Sequence, residues 1–377
     1  MKKLIITLDY PPKIGGVASY TYQFSAELNP DEVVVLASQH KDTRDFDKKE
    51  KFKIVRKSML LPIFIWPRWT KLFFQVLRII KKEKIEIIYL QHALELGGLV
   101  WFLKKIKKIP YIIFSHGVDL ELGAKSKLKH SFFQKVLDES EQIVFNSKNL
   151  RDRILKVLPE YEDKASVLYP CPDQIFYEEI SEEEISNLKA QYALEGKKVM
   201  LTVARLDEGK GYTHLIRMLP KILEQVPNLV WFVVGDGPKK DFLLKEIQKR
   251  SLQSVVRFIG EVSHDELSKF YHLADLFVLL THLDEGKEEG LGLVYLEAAA
   301  AGLPVVAGKS GGVEEAVLHT QTGVLVDIYK GDKSVIGSIV EMFENDEYAK
   351  RLSENAKTRV QANFKWDSQM KVIDKWM

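Results

Sequence analysis

Unbroken runs of Val, Ile and Leu recur along the chain, separated by longer stretches in which apolar residues return at helical spacing. The first series of runs is Lys3–Leu8, Val33–Ala37, Ile85–Gln91, Tyr111–Ser115 and Gln142–Asn146. The second is Val199–Ala204, Leu229–Gly235, Val255–Ile259, Leu276–Leu280, Pro304–Ala307 and Gly323–Val326. These runs show little polar alternation, which predicts strands covered on both faces, as in a parallel sheet. Strand and helix alternating from end to end imply βαβ units, and two series imply two doubly wound, Rossmann-like α/β domains. The stretch Tyr169–Asn187 separates the series, with Pro170, Pro172 and the acidic run Glu178–Glu184. The domains are therefore expected at 1–175 and 176–357, with a C-terminal helix of about 358–377. Trp366 and Trp376 so near the terminus predict that this segment docks rather than frays.

Composition adds limits. A length of 377 residues fits two domains. Cys171 is the only cysteine, so no internal disulfide or cysteine-rich metal site is possible and a reducing, cytoplasmic compartment fits. The net charge of +2 gives no footprint for nucleic acid. The opening Met-Lys-Lys-Leu-Ile-Ile-Thr-Leu is cut short by Asp9 and Pro11-Pro12 and reads as a first strand, not a signal peptide. No apolar run reaches the ~20 residues of a membrane span.

The strongest chemical signal is Glu289-Gly290-Leu291-Gly292-Leu293-Val-Tyr-Leu-Glu297, which follows a strand and runs into Glu-Ala-Ala-Ala-Ala. A glycine-rich turn feeding a helix presents open backbone N–H groups and a favourable dipole to an anion such as a diphosphate. Glu289 stands before the turn, within reach of a sugar hydroxyl, and Glu297 stands two turns on, placed to accept from ribose hydroxyls. A purely structural turn fits the segment alone equally well. Arg205 and Lys210 follow the first strand of the second series, at the strand end where open α/β sheets bind ligands. They offer a fork and a point charge to phosphate oxygens, and a departing nucleoside diphosphate needs such neutralisation.

Weaker signals surround these. Gly15-Gly16-Val17 allows close approach of backbone to a ligand but is no dinucleotide fingerprint, because Asp9-Tyr-Pro-Pro intervenes after the strand. Gly235-Asp-Gly-Pro and Gly311-Gly312-Val-Glu-Glu read as turns at least as well as ligand contacts. His116, in His116-Gly-Val-Asp119, ends a strand of the first series. Asp45-Phe-Asp47 has the form of a metal motif but lies in the charged stretch Lys41–Lys51 and reads as solvated loop; no metal site is expected. Residues 56–84, with Leu60-Leu-Pro-Ile-Phe-Ile-Trp-Pro-Arg-Trp69, and the segment 101–108 are basic with aromatic flanks. They fit a helix in a bilayer interface and a core helix with a solvated face equally.

Taken together, Tyr-Pro-Pro…Gly-Gly-Val-Ala-Ser-Tyr, Glu289–Val317 and Gly323-Val-Leu-Val resemble the retaining glycosyltransferases of family four, in particular mannosyltransferases acting on phosphatidylinositol mannosides and polysaccharide acceptors. The resemblance covers nearly the whole chain. It implies the two-domain GT-B fold, with the domains facing a cleft and the terminal helix crossing back onto the N-terminal, acceptor-side domain, and a metal-independent enzyme without cofactor. The donor would be a GDP- or UDP-sugar, with mannose favoured, and the acceptor a glycan or lipid-linked hydroxyl, at the cytoplasmic face of the membrane if the basic stretch makes peripheral contact. It assigns Glu289 to donor-sugar hydroxyls, Glu297 to ribose, Arg205 and Lys210 to the diphosphate, with Gly16 approaching the same group. His116 would lie near the reacting centre, and backbone around Gly260–Val262 would meet the base. Leu291 departs from the family's more usual Phe. A sugar-nucleotide epimerase of the same fold and a non-catalytic nucleotide-binding protein are the alternatives. The paired Glu and Arg/Lys sets weigh against the second.

Overall fold

The computed structural model describes residues 1–13, 15–40, 43–117, 120, 130–284 and 288–377. Two compact units result, one of Met1–Pro170 with Trp366–Met377, the other of Cys171–Lys365. In the first, β1 (Lys3–Thr7), β2 (Val33–Ser38), β3 (Lys53–Lys57), β4 (Ile87–Leu90), β5 (Tyr111–Ser115), β6 (Gln142–Phe145) and β7 (Ala165–Val167) form a sheet ordered β3-β2-β1-β4-β5-β6-β7. In the second, β8 (Lys198–Val203), β9 (Leu229–Val234), β10 (Val256–Gly260), β11 (Leu276–Leu279), β12 (Val305–Gly308) and β13 (Val324–Val326) are ordered β10-β9-β8-β11-β12-β13. Every pairing is parallel. The order reverses between β1 and β4 in one sheet and between β8 and β11 in the other. Such reversals open a crevice at the carboxyl ends of the strands, where ligands bind.

The apolar runs form the buried strands because helices cover both faces. Leu4, Ile6, Val34, Leu36, Ile88 and Leu90 lie in one cluster with helix residues Leu72, Val76 and Leu96. Met200, Trp231, Val233 and Val278 do the same in the second unit with Leu215, Leu219 and Ile339. Trp231 is fully buried, and its indole N–H donates to Thr202 Oγ1 at 2.9 Å, so the ring enters the core without an unmet donor. Lys3, only 2% exposed, is the charged residue of β1, and its ammonium meets Glu32 at 2.8 Å.

The expected strands form, with ends moved by one or two residues, and two further strands join the first sheet. β3 reads Lys-Ile-Val-Arg-Lys and β7 has three residues; both are edge strands and carry weak apolar signals. The terminal segment packs within the first unit. Trp366 is 8% exposed with its ring 5.8 Å from that of Tyr20, and Tyr89 donates to the Trp376 carbonyl at 2.8 Å. The helix Asp346–Asn363 stays in the second unit.

The expected solvated loop at Asp45–Asp47 is corrected. Thr43–Asp47 is a short helix, and Arg56 Nε donates to both Asp47 oxygens, at 3.2 and 3.1 Å. Arg56 also lies over the Tyr10 ring, 5.3 Å from its centroid. Asp47 is thus consumed in an ion pair that ties this helix to β3, while Asp45 is 92% exposed beside Lys48.

Candidate functional site

In the second unit the loop after β8 carries Arg205 and Lys210 and ends at Gly211, where helix Tyr212–Leu223 begins. Gly211 has φ +76, and a Cβ there would stand 2.3 Å from the Leu280 carbonyl oxygen, so only glycine lets this loop press against the end of β11. The amide of His282 completes the contact by donating to the Gly209 carbonyl at 3.0 Å. On the other side, Leu206 N–H donates to Asp236 and Lys239 N–H to Leu206, both at 3.0 Å. A Cβ at Gly235 or Gly237 would collide with Ala204 or Leu206 backbone oxygens, at 2.2 and 2.4 Å. The Gly235-Asp-Gly-Pro turn therefore shapes the loop that presents Arg205, through backbone packing.

After β11, Glu289 comes to Lys210: Nζ donates to Oε2 at 2.5 Å, with the two side chains 28% and 20% exposed. These residues, separated by 79 positions in sequence, meet at the reversal between β8 and β11. The Glu289 backbone is held from the β12 side, where Gly312 N–H donates to its carbonyl at 3.0 Å. Gly311 must be glycine there, since its φ is +51 and a Cβ would lie 2.2 Å from the same oxygen. Arg205 is 67% exposed, with Nε 3.5 Å from Asp207.

Gly290–Gly292 then leads into helix Leu293–Ala300. Gly292 is its N-cap at φ +84, and no side chain caps the helix. The first-turn N–H groups around Leu291, Gly292 and Leu293 carry the partial positive charge of the helix end. Tyr295 anchors this helix: its hydroxyl donates to the Leu279 carbonyl at 2.9 Å and meets Thr281 Oγ1 at 2.9 Å.

Glu297, on the same helix, is 4% exposed. Burial pushes its carboxyl up to about 6, and Asp173 adds to that; a hydrogen bond from Tyr271 and the charge of His264 oppose it. The Tyr271 hydroxyl donates to Oε2 at 2.8 Å. Tyr271 is itself wedged between Phe277 and Phe176, with ring centroids 5.7 and 5.4 Å away. His264 stands 3.6 Å from Asp173, whose hydrogen bond raises the imidazole above its ordinary value. Val262 is half-buried in the loop after β10, just before the Ser263 cap of helix His264–Leu273, and Gly260 at the strand end has open space around its Cα.

His116 and Gly16 belong to the first unit. Gly16 opens helix Gly16–Ala26, which has no side-chain cap and no acidic residue in its first turn. A Cβ on Gly16 would meet nothing within 4 Å, so the fold itself does not require glycine there. His116 follows β5; its Nε2 lies 2.7 Å from Gln91 Oε1 and its ring 4.9 Å from that of Tyr20. Burial, with the charge of His92, pushes its imidazole down to about 3, against the pull of Asp9. His116 is thus neutral at physiological pH. Asp119 lies outside the described residues.

Sequence reasoning passed over two partners of His116. Asp9 follows β1 and His92 follows β4, so the pair sits at the reversal of the first sheet. Leu8 N–H donates to His92 Nδ1 at 3.2 Å, which leaves the proton on Nε2, 3.4 Å from Asp9 Oδ2. That contact first, and Lys13 with it, holds Asp9 well below the usual carboxylate range in spite of its partial burial. Gln91 Nε2 and Asn146 Oδ1, after β4 and β6, are buried without a hydrogen-bond partner among the described residues. The signal was available: Asp9 and His92 directly follow the predicted strands Lys3–Leu8 and Ile85–Gln91. Among the described residues no three His, Cys, Asp or Glu gather as metal ligands.

Residues 14–173 match the family described as Glycosyltransferase Family 4, and residues 184–359 match the one described as Glycosyl transferases group 1. A GDP-mannose-dependent alpha-(1-6)-phosphatidylinositol monomannoside mannosyltransferase of Mycobacterium tuberculosis is 28% identical over 97% of this chain and 95% of its own length. A GDP-mannose-dependent monoacylated alpha-(1-6)-phosphatidylinositol monomannoside mannosyltransferase of Corynebacterium glutamicum is 24% identical over the same shares, 97% and 95%. Among solved structures, Anabaena HepE in complex with UDP-glucose superposes with a TM-score of 0.83 at 20% identity, covering 100% of this chain and 99% of that one. That likeness establishes the GT-B type of fold, two parallel-sheet α/β domains.

Proposed function

We propose, on the premise that the chain belongs to the glycosyltransferases whose two domain families together span it, that it moves a hexose from a nucleoside diphosphate to a glycan or lipid-linked hydroxyl with retention at the anomeric carbon. The observation that carries the donor site is the Lys210–Glu289 ion pair, four residues before the uncapped helix that starts at Leu293. A cation beside a carboxylate, next to an open helix N-terminus, supports that reading: the one suits a diphosphate and the other a sugar hydroxyl.

Each residue then has one task. Lys210, the Arg205 fork and the N–H groups of Gly290–Leu293 neutralise the departing diphosphate. Glu289, released from Lys210 when phosphate takes the cation, accepts from sugar hydroxyls. Glu297 accepts from the ribose, held by Tyr271, and backbone at Val262 meets the base. For Gly16 and neutral His116, in the first unit, the ground for assigning them to the diphosphate and the reacting sugar is the resemblance to the family. In the reaction the bond from C1 to the phosphate oxygen breaks as the acceptor oxygen bonds C1 on the same face, and the acceptor proton passes to the leaving phosphate oxygen. No residue need ionise. GDP-mannose is the favoured donor because relatives aligned over nearly their whole length are named for it. A lipid-linked acceptor is favoured on the same ground.

The test is to supply GDP-mannose and UDP-hexoses with candidate glycolipid acceptors and read nucleoside diphosphate release together with the anomeric configuration of the product by proton NMR. An α-linked product from an α-linked donor supports the proposal. An inverted product overturns retention, and release of a free epimerised sugar without acceptor favours the epimerase.

A further inference from the structure

The first unit carries an apolar surface that its own fold does not cover. Arg68 closes a loop on Leu61 twice: Leu61 N–H donates to the Arg68 carbonyl and Arg68 Nε to the Leu61 carbonyl, each at 2.8 Å. The loop tip beyond this closure exposes Ile63, Phe64 and Trp66 by 85%, 86% and 81%. From the loop base a chain of rings runs over three helices, Thr70–Glu83, Ala93–Lys107 and His130–Asp138. Trp69 lies 6.3 Å from Phe102, Phe102 lies 5.7 Å from Phe73, and Trp101 lies 5.4 Å from Phe132. Phe74, Phe102, Ile106 and Phe132 remain exposed along it.

The stretch that carries the loop and the first of these helices is charged almost entirely with one sign. Residues 56–84 contain eight Lys or Arg and a single acid, Glu83, which Lys53 meets at 2.7 Å. Helix Thr70–Glu83 buries Leu72, Val76 and Ile80 on one side. Its opposite side exposes Lys71, Phe74, Arg78 and Lys82. A contiguous exposed apolar patch marks an interaction site. Exposed Phe, Ile and Trp at a tip, rimmed by Lys and Arg, match the chemistry of a bilayer interface with anionic headgroups. A second copy would bring the same basic rims together and is disfavoured by that repulsion.

We infer that the loop tip Ile63–Trp66 inserts into an anionic lipid surface while the basic side of helix Thr70–Glu83 lies on the headgroups. The patch is a docking surface for membrane and not part of the donor site. The inference rests on this surface alone, so its failure leaves the donor chemistry standing.

The experiment is co-sedimentation of the full chain with phosphatidylcholine vesicles, with and without phosphatidylglycerol, at low and high salt. Two variants accompany it, Phe64→Ser/Trp66→Ser and Lys71→Glu/Arg78→Glu/Lys82→Glu, with circular dichroism and melting temperature as controls on the fold. The wild type binds vesicles containing phosphatidylglycerol at least about tenfold better than phosphatidylcholine alone, salt weakens binding, and each variant loses about tenfold or more. Equal binding by the tip variant overturns the inference, as does absence of binding to anionic vesicles at low salt. So does a wild-type dimer in analytical ultracentrifugation that the tip variant dissolves, because the patch would then be a self-interface.

Discussion

Glu297→Gln should make the protein more stable at neutral pH than at acid pH, relative to the wild type, while weakening nucleotide binding. The wild-type carboxyl is buried and pushed from 4.5 up to about 6. Below the lower value the group is protonated in folded and unfolded chains alike, and its contribution is constant. Between the two values the unfolded chain gives up the proton while the folded chain keeps it, so wild-type stability falls as pH rises. The shift corresponds to about 2 kcal/mol, lost in the window from about pH 4.5 to about pH 6 and constant above it. A Gln side chain does not titrate, and its oxygen still accepts from Tyr271. The melting temperature of the variant minus that of the wild type should therefore rise by about 4–8 °C on going from the acid to the neutral side of this window. The assay is a melt of both proteins at a series of pH values, in which groups common to both cancel. A difference that stays flat across the window would refute the reasoning, because the carboxylate would then be no more costly folded than unfolded.

Donor affinity of the wild type should itself fall as pH drops below about 6, since protonated Glu297 accepts fewer hydrogen bonds from a ribose, and isothermal titration reads this. His116, pushed down to about 3, should contribute no limb to the pH–rate profile between about pH 5 and 8, and a limb abolished by His116→Gln would contradict its neutrality. Lys210→Ala should lower kcat about a hundredfold or more, with a melting temperature close to wild type, because its ion pair with Glu289 is partly exposed. Gly16→Ala should leave the melting temperature unchanged and weaken donor binding, whereas Gly211→Ala should lower the melting temperature, since only the second Cβ meets backbone.

The legible part of this fold is the part with long apolar runs. Eleven strands were readable because helices cover both sheet faces, leaving no polar alternation to dilute the pattern. β3 and β7 escaped because an edge strand needs neither length nor apolarity, and Arg56 in β3 serves Asp47 instead of a core. Asp47 itself was misread as solvated because no local pattern announces a partner nine residues away. In the donor site, Lys210 and Glu289 could be named from their separate positions at strand ends, but their meeting depends on a crossover between β8 and β11. Tyr271 was invisible for the same reason: its hydroxyl finds Glu297 across 26 residues, and in sequence it is one aromatic on a helix. The glycines of Gly235-Asp-Gly-Pro and Gly311-Gly312 looked like ligand loops or turns; their backbone contacts with Ala204, Leu206 and Glu289 make them the supports of the site.

The most direct measurement of the central claim is a thermal-shift titration of the full chain with GDP and UDP, run on the wild type and on Lys210→Ala. A ligand that binds only the folded state at about a hundred times its dissociation constant stabilises it by about 2.7 kcal/mol. One nucleoside diphosphate should raise the wild-type melting temperature by several degrees and shift the Lys210→Ala protein much less. If neither nucleotide moves the wild type, or if both proteins respond equally, Lys210 and Glu289 do not form a diphosphate-sugar site.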